Sequence, residues 1–317
     1  MKRVFHRIFL GLGLLFTLLT CGSLASQFHW TLDILSHYHL QYTVGLALCL
    51  LVLLLLRDFR FYLLSVVAAF LVNLILVTPF FLTPGPVAQA ATEATPLRVM
   101  ALNISTSNAG YGQVVELIRE RQPDLVFMSE VREDLLAVLR AELADSYPHL
   151  HAEPSRMTLG VAFLSRQPFQ EVETVMPGER GRRYLRAVLD WQGQPVTIVG
   201  IHPLPPMSGE WAASRNSEIA LMGQLANEAT QPFILLGDLN ASPWSQPMRQ
   251  LMANTALRYA MQGYGIGLTW RLAGVLLGAP LDYILVSPAW QVVNYVEGGD
   301  IRSDHIPIQA DLVLDQE

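Results

Sequence analysis

The chain has 317 residues, enough for two domains, and is strongly apolar: 51% of its residues are hydrophobic, 15% are charged, and the net charge is −6. The apolar excess lies in residues 8–82, whereas residues 97–317 carry 16 arginines, no lysine and 24 acidic side chains, which argues against a non-specific binder of duplex DNA. Cys21 and Cys49 both lie in the apolar part, so residues 97–317 have neither a disulfide framework nor a catalytic thiol.

Three apolar runs open the chain, at about residues 8–25, 40–56 and 61–82. A helix needs about 20 apolar residues to cross a bilayer. The first and third runs reach that length, and the second is short but almost unbroken. The sequence therefore predicts a bundle of about three transmembrane helices that anchors the protein over residues 1–82.

The first run has two competing interpretations. Lys2, Arg3 and Arg7 resemble the basic region of a signal peptide. The residues before Cys21 weakly resemble a lipoprotein cleavage site, although Thr20 fits that position poorly. The two further apolar runs favour a helix that is retained.

Lysine and arginine placement predicts the orientation of this bundle. The N-terminus is basic, the loop at 26–39 has no lysine or arginine, and the turn between the second and third runs carries Arg57 and Arg60. Both basic clusters are expected in the cytoplasm. An odd number of spans then places the rest of the chain on the periplasmic or extracellular side of the cell (inner) membrane.

The predicted spans indicate an anchor, because none has an ionisable residue at its centre, as a transporter usually would. Three histidines in the outer loop, His29, His37 and His39, are interpreted as interfacial residues in preference to a metal site. Residues 83–96 are rich in Pro, Ala and Thr, which is typical of a flexible linker.

Residues 97–317 are predicted to form one domain with many strands and a few helices. Hydrophobic patterning predicts strands at 97–102, 124–128, 160–165, 184–191, 195–201, 233–236, 281–286 and 306–314, and helices at 112–121, 132–143, 214–228 and 248–253. Many strands are adjacent in sequence, which favours an α/β (α+β) layered sandwich with two mixed sheets flanked by helices.

Polar side chains recur where these predicted strands end. Each one alone is compatible with an ordinary turn. Together they are residue types that bind hard cations and move protons: Asn103, Glu130, His202, Asp238, Asn240, Asp304 and His305, with Asp282 inside a strand.

The segments that carry these residues resemble the endonuclease/exonuclease/phosphatase superfamily, which has the deoxyribonuclease I-like fold. The matching segments are LRVMALNI at 97–104, QPDLVFMSEV at 122–131, GIHP at 200–203, GDLN at 237–240, LDYI at 281–284 and SDHIP at 303–307. They occur in the family's order over nearly all of 97–317. Ser129 stands where Gln is commonest in the family, next to the expected ligand Glu130.

The resemblance and the chemistry together imply a Mg²⁺-dependent phosphoesterase, with Mn²⁺ as the other candidate metal. Asn103, Glu130 and Asp304 are expected to bind the metal. Asp238 is expected to orient or deprotonate the attacking water. The other expected catalytic residues are Asn240, which supports Asp238 or the substrate, His305 for proton transfer or phosphate binding, Asp282 to orient His305, and His202 as a second phosphate donor.

Two further features have open or weaker interpretations. Trp270 is expected either near the cleft or in the core. Arg182, Arg183 and Arg186 are interpreted as a solvated basic turn in preference to phosphate ligands.

The predicted partners are a phosphoester substrate and the lipid bilayer, and the sequence indicates no protein partner. A phosphodiester of a lipid headgroup, or another small phosphoester, is the favoured substrate. Nucleic acid is the alternative substrate, and an inactive binding domain at the cell envelope is the alternative from a different functional class.

Overall fold

The computed structural model describes residues 2–57, 61–82, 95–177, 181–272 and 277–315. The described residues before position 83 form a helical module, and those from position 95 onward form a two-sheet domain, called here the sandwich domain. Arg60 and residues 83–94 of the predicted linker lie outside the described residues.

The described part of the helical module contains four α-helices: α1 (Lys2–Leu24), α2 (Trp30–Leu35), α3 (His39–Leu55) and α4 (Leu63–Val77). A 3-10 turn, Ser36–Tyr38, joins α2 to α3. Three stretches of the described helices are long and apolar enough to cross a membrane: Lys2–Leu24, Trp30–Leu55 and Leu63–Phe80. The prediction of three long apolar helices is therefore confirmed, while the predicted outer loop is largely helical.

Apolar contacts and one polar network join the three long helices. Leu46, Leu53 and Val66 are fully buried. Asn73 on α4 is also buried, and its side-chain amide donates to Thr20 Oγ1 and lies 2.6 Å from His39 Nδ1. Such small, fully bonded polar groups commonly join helices in a membrane.

The sandwich domain contains fourteen strands and four helices among its described residues. The strands are β1 (Leu97–Asn103), β2 (Leu125–Ser129), β3 (His149–Glu153), β4 (Val161–Ser165), β5 (Phe169–Val175), β6 (Tyr184–Trp191), β7 (Gln194–Gly200), β8 (Phe233–Asp238), β9 (Arg258–Tyr259), β10 (Trp270–Arg271), β11 (Gly278–Ala279), β12 (Asp282–Val286), β13 (Trp290–Glu297) and β14 (Ile308–Leu314). The helices are α5 (Tyr111–Arg121), α6 (Glu133–Leu143), α7 (Gly209–Glu228) and α8 (Gln246–Asn254).

Twelve of these strands form two six-stranded mixed sheets, with the orders β13-β14-β1-β2-β4-β3 and β5-β6-β7-β8-β12-β9. Phe127, Phe163, Ile198 and Leu235 belong to one buried apolar core. A second buried cluster joins β1, β2 and β4 to helices α5 and α6. This is the predicted layered sandwich.

Strand direction places the ends of several strands together. β1 and β2 are parallel neighbours in the first sheet, and β7 and β8 are parallel neighbours in the second. Parallel neighbours bring their carboxyl ends to the same edge of a sheet. The polar residues that follow β1, β2, β7 and β8 therefore converge there.

Six strands lie outside the predicted ones: β3, β5, β13 and the two-residue strands β9, β10 and β11. Their sequences either lack a clean apolar alternation or are too short to show one. Helix α7 begins earlier than predicted. Its N-cap is Ser208, whose Oγ accepts a hydrogen bond from the backbone N–H of Trp211.

The helical module packs directly against the sandwich domain. The indole N–H of Trp244 donates to the carbonyl of Leu76 at 2.9 Å, and the carbonyl of Phe80 accepts from the N–H groups of Gly263 and Gly265. On α3, the Gln41 side chain donates to the carbonyl of Gly278 at 2.6 Å. The module is thus docked onto the sandwich domain through contacts beyond the linker.

Candidate active site

The first sheet contributes Asn103 and Glu130. Asn103 ends β1 and pairs in register with Ser129, the last residue of β2. Glu130 follows with a φ of +60°, a left-handed backbone conformation that is uncommon for Glu. This turn directs the chain out of the strand at the edge where the two parallel strands end.

The second sheet contributes Asp238, Asp282 and His202. Asp238 ends β8 and lies opposite Asp282, the first residue of the antiparallel strand β12. His202 follows β7, whose last residue Gly200 pairs with Leu236 on β8. His305 lies just before β14, so both sheets supply residues to one cleft.

Asp238 is at the centre of this cleft. Its Oδ2 accepts a hydrogen bond from Asn103 Nδ2 at 3.0 Å and lies 3.5 Å from His202 Nε2 and 3.6 Å from His305 Nε2. Its Oδ1 accepts from the backbone N–H of Asn240 at 2.9 Å. Burial alone would raise the pKa of Asp238, but His305, His202 and the Asn240 N–H outweigh it and lower the pKa to about 2. Asp238 is therefore ionised at neutral pH.

His305 is paired with Asp282 on the other side of its ring. Its Nδ1 lies 2.8 Å from Asp282 Oδ2, and both side chains are buried. Burial lowers the pKa of His305, but the carboxylates of Asp282, Asp238 and Asp304 outweigh it and raise the pKa to about 10. The predicted Asp–His arrangement is present, and it keeps His305 protonated.

His202 has the opposite kind of partner. Its Nδ1 lies 3.3 Å from Nη1 of Arg182, which is buried and also donates to the carbonyl of Thr158. A guanidinium can only donate, so His202 Nδ1 accepts and the ring N–H is at Nε2, toward Asp238. The interpretation of Arg182 as solvated is wrong, because the arginine is inserted behind His202.

The other two arginines of that turn behave as predicted. Arg183 and Arg186 are partly exposed and form ion pairs with acidic side chains, Arg183 with Glu153 and Arg186 with Glu171 and Glu173. Sequence alone does not separate them from Arg182, since all three lie within five residues.

Glu130 and Asn103 lie next to Asp238. Glu130 Oε1 is 3.4 Å from Asn103 Nδ2 and 3.9 Å from His202 Nε2, and Glu130 Oε2 accepts from the N–H of Thr106 at 2.9 Å. The amide of Asn103 thus lies between two carboxylates. Carboxylate and amide oxygens are the ligands that a hard divalent cation prefers.

Asp304 occupies a more exposed position beside His305. Its Oδ2 accepts a hydrogen bond from the indole N–H of Trp270 at 3.2 Å. Trp270 therefore lies at the cleft, which decides between its two predicted locations. Among the described residues, Asp238, Asp282 and His305 form a group of three potential metal-binding side chains. Their carboxylate and imidazole atoms all lie within 4.8 Å of one another.

Asn240 closes the cleft beside Asp238. Its side-chain amide donates to the carbonyl of Pro203 at 3.0 Å and lies 3.4 Å from Asp238 Oδ2, and its φ is +50°. All eight predicted site residues thus lie at the same edge of the sandwich. An ionised carboxylate, a protonated imidazole and further carboxylates in one cleft suit the hydrolysis of a phosphoester.

A model of the Endonuclease/Exonuclease/phosphatase family matches residues 100–305. The chain belongs to the endonuclease/exonuclease/phosphatase family. The matched range includes all eight predicted site residues and ends at His305. As its name states, this family comprises endonucleases, exonucleases and phosphatases.

Solved structures share the fold of the sandwich domain. D. rerio TDP2 complexed with a single-strand DNA product has a TM-score of 0.61 at 16% identity, over 69% of this chain and 100% of that chain. A family member from Bacteroides vulgatus has a TM-score of 0.57 at 21% identity, over 70% and 100%. Another from Beutenbergia cavernae has a TM-score of 0.56 at 22% identity, over 70% and 72%. At these identities the likeness establishes the fold alone, and no curated protein matches the chain in sequence.

The histidines of the predicted outer loop are not all at an interface with lipid. His37 and His39 are buried, and the His39 ring packs edge-on against Trp244 of the sandwich domain with centroids 5.2 Å apart. His29 caps α2 by accepting from the N–H of Thr31. The outer loop is thus part of the contact between the module and the sandwich domain.

Proposed function

We propose that this protein is a membrane-bound phosphodiesterase that uses a divalent metal and hydrolyses a lipid headgroup. The observation that carries the lipid assignment is the docking of the helical module next to the cleft. Ser36 Oγ, in the turn before α3, lies 3.3 Å from Ser242 Oγ, two residues beyond Asn240. The catalytic edge is therefore adjacent to the ends of the apolar helices.

The length of the second apolar stretch supports this placement. Trp30–Leu55 has 26 residues, whereas the hydrocarbon core of a bilayer needs about 20. Helix α3 alone, His39–Leu55, has 17 residues, near the lower limit of about 17 for a spanning helix. The contacts at Ser36 and His39 lie at the beginning of α3 or just before it, which supports a cleft near the bilayer surface.

Glu130, Asn103 and Asp304 are the proposed metal ligands, with Mg²⁺ or Mn²⁺ as the ion. Mg²⁺ prefers oxygen ligands, and Glu130 offers a carboxylate beside the Asn103 amide, whose Nδ2 faces Glu130 and whose Oδ1 accepts from the N–H of Ser105. The group of Asp238, Asp282 and His305, by contrast, includes an imidazole already bonded to a carboxylate. When bound, the cation polarises a phosphoryl oxygen and offsets its developing charge.

The remaining side chains have separate proposed roles. Asp238, ionised and facing the cleft, orients or deprotonates the attacking water. His305, protonated and held by Asp282, donates to the phosphate or to the leaving oxygen. The Nε2–H of His202 is a second donor, and Asn240 holds Asp238 in place.

The distribution of lysine and arginine supports a domain outside the cytoplasm, at the cell membrane. The test is a reporter enzyme fused after Glu317, of a type that works only outside the cytoplasm. We expect this fusion to show reporter activity. Activity of a reporter that needs the cytoplasm would contradict this orientation.

The test uses the full chain in phospholipid nanodiscs. It compares hydrolysis of phosphatidylglycerol and phosphatidylethanolamine vesicles, an activated soluble phosphodiester, a phosphomonoester and DNA, each with Mg²⁺ and with EDTA. We expect Mg²⁺-dependent cleavage of the activated diester and of a phospholipid. Glu130→Ala should reduce both activities and the rise in melting temperature on adding Mg²⁺.

Other outcomes would replace the proposal. Preferential cleavage of DNA would favour the nuclease alternative, and equal rates with and without EDTA would contradict the metal requirement. Metal binding without hydrolysis of any substrate class would favour an inactive binding domain.

A further inference from the structure

A buried ion pair joins the helical module to the sandwich domain. Arg215 on α7 donates from Nη2 to Asp33 Oδ2 on α2 at 2.7 Å. The Arg215 side chain is 0% exposed and that of Asp33 is 4% exposed. The two residues are 182 positions apart in the chain.

Arg215 also reaches the segment that carries the active site. Its Nη1 donates to the main-chain carbonyl of Asn240 at 2.8 Å. The N–H of Asn240, in turn, donates to Asp238 Oδ1. The backbone of Asn240, which has a left-handed conformation, is therefore held on both sides. The Arg215 guanidinium bonds its carbonyl, and the Asp238 carboxylate bonds its N–H.

Asp33 holds the same segment at a second point. Its Oδ1 accepts from the backbone N–H of Gln246, the first residue of α8, at 2.7 Å. A carboxylate is favoured at a helix N-terminus, where backbone N–H groups lack partners within the helix. The Asp33 carboxylate thus holds residue 246 directly and residue 240 through Arg215.

The energetics of buried ion pairs make a role in stability alone a poor explanation. Desolvation of both charges offsets much of their attraction, and an apolar pair of similar volume is often as stable. An apolar pair does not reproduce two contacts of the ion pair. These are the hydrogen bond from Arg215 to the Asn240 carbonyl and the one that Asp33 accepts from the Gln246 N–H.

We infer that Asp33, acting through Arg215, is a positioning residue that holds the loop of Asp238 and Asn240 in its catalytic geometry, so that the helical module is a working part of the active site. The inference rests on the proposed phosphodiesterase activity. It implies that the chain hydrolyses its substrate efficiently only when α2 is docked on the sandwich domain.

The test measures kcat, KM and melting temperature of the full chain in nanodiscs with the activated phosphodiester. Asp33→Asn should lower kcat about tenfold or more with KM within twofold. The double variant Asp33→Leu with Arg215→Met replaces the pair by apolar groups, and should recover the melting temperature while kcat stays low. Recovery of kcat together with the melting temperature would overturn the inference.

A matched control separates this loop from the rest of the interface. Ser26→Ala removes the 2.8 Å hydrogen bond from Arg249 Nη2 to Ser26 Oγ, which also joins the module to the sandwich domain. This variant should keep wild-type kcat. A fall in kcat equal to that of Asp33→Asn would overturn the inference, because any weakened contact would then have the same effect.

Backbone hydrogen exchange gives a readout that does not need activity. In Asp33→Asn, the amides of residues 239–246 should exchange at least tenfold faster than in the wild type, while those of β1 and β2 are unchanged. Unchanged exchange at 239–246 would overturn the inference. Absence of hydrolysis in the wild-type chain would overturn the proposed function and leave this exchange comparison to decide the role of Asp33.

Discussion

The cleft has two histidines on either side of Asp238, and their surroundings differ in one respect. His202 is backed by the buried guanidinium of Arg182, and His305 is backed by the carboxylate of Asp282. Their Nε2 atoms are nearly equidistant from Asp238 Oδ2, at 3.5 and 3.6 Å. The residue behind each ring therefore differs in kind: Asp282 is an acceptor for His305 Nδ1, whereas Arg182 is a donor toward His202 Nδ1.

This difference gives the two histidines different proposed roles in the reaction. A protonated His305 can give a proton to a leaving oxygen and neutralise phosphate charge, whereas His202, whose Nδ1 accepts from Arg182, can donate a hydrogen bond from Nε2. Asp238 lies within reach of both rings and is the residue whose loss disturbs both sides.

Asp238→Asn should have the largest effect, because it removes the charge that both histidines face and the group proposed to activate water. We expect kcat to fall by about 10³–10⁴. The protein should still unfold cooperatively, with a melting temperature within several degrees of the wild type. Near-normal turnover would contradict the proposed chemistry on both sides of the cleft.

Comparison of His305→Ala with His202→Ala tests the division directly. His305→Ala should lower kcat by about 10²–10³, the range for loss of a general acid. His202→Ala should cost only about tenfold, the loss of a hydrogen bond of roughly 1.4 kcal/mol. Both variants should keep the Mg²⁺-induced rise in melting temperature. Equal losses would show that the two rings have equivalent roles.

Asp282→Asn weakens the His305 side while leaving the ring in place. The variant loses one charge-assisted hydrogen bond, about 1.5–3 kcal/mol, which predicts a fall in kcat of about 10- to 100-fold. The fall should be smaller than that of His305→Ala. Wild-type kcat would mean that orientation by Asp282 is not needed.

Arg182→Met tests the His202 side in the same way. Without the guanidinium, nothing fixes His202 Nδ1 as the acceptor, and kcat should fall about tenfold, no more than for His202→Ala. Arg183→Met, next in the chain and partly exposed, is the matched control and should keep wild-type activity. Indistinguishable kinetics for the two arginine variants would show that Arg182 has no role in the reaction.

Stability should also depend on pH in the presence of EDTA. The pKa of His305 is raised in the folded protein to about 10 by Asp282, Asp238 and Asp304, against its burial. The contribution of His305 to the free energy of unfolding is therefore complete below the pKa of the unfolded state, near 6.5. It is lost as the pH rises toward 10, by at most about 1.4 kcal/mol per pH unit. Denaturant unfolding at pH 6 to 10 should show this slope, and His305→Gln should flatten it.

The sequence alone determined the fold class and the family resemblance, and it marked eight polar residues that meet in the cleft. Strand periodicity and apolar length are local properties, so β6, β7, β8 and the three long helices are visible in the residues themselves. Polar residues directly after buried strands, such as Glu130 and Asp238, are equally local signals.

Only the tertiary structure decided which partner each of these residues has. Arg182 and Arg183 are neighbours in sequence, yet one is buried behind His202 and the other lies at the surface. Asp33 and Arg215 meet across 182 positions, and neither has a sequence pattern that marks it. Protonation, hydrogen-bond direction and the docking of the helices depend on distances between remote segments, which local periodicity does not encode.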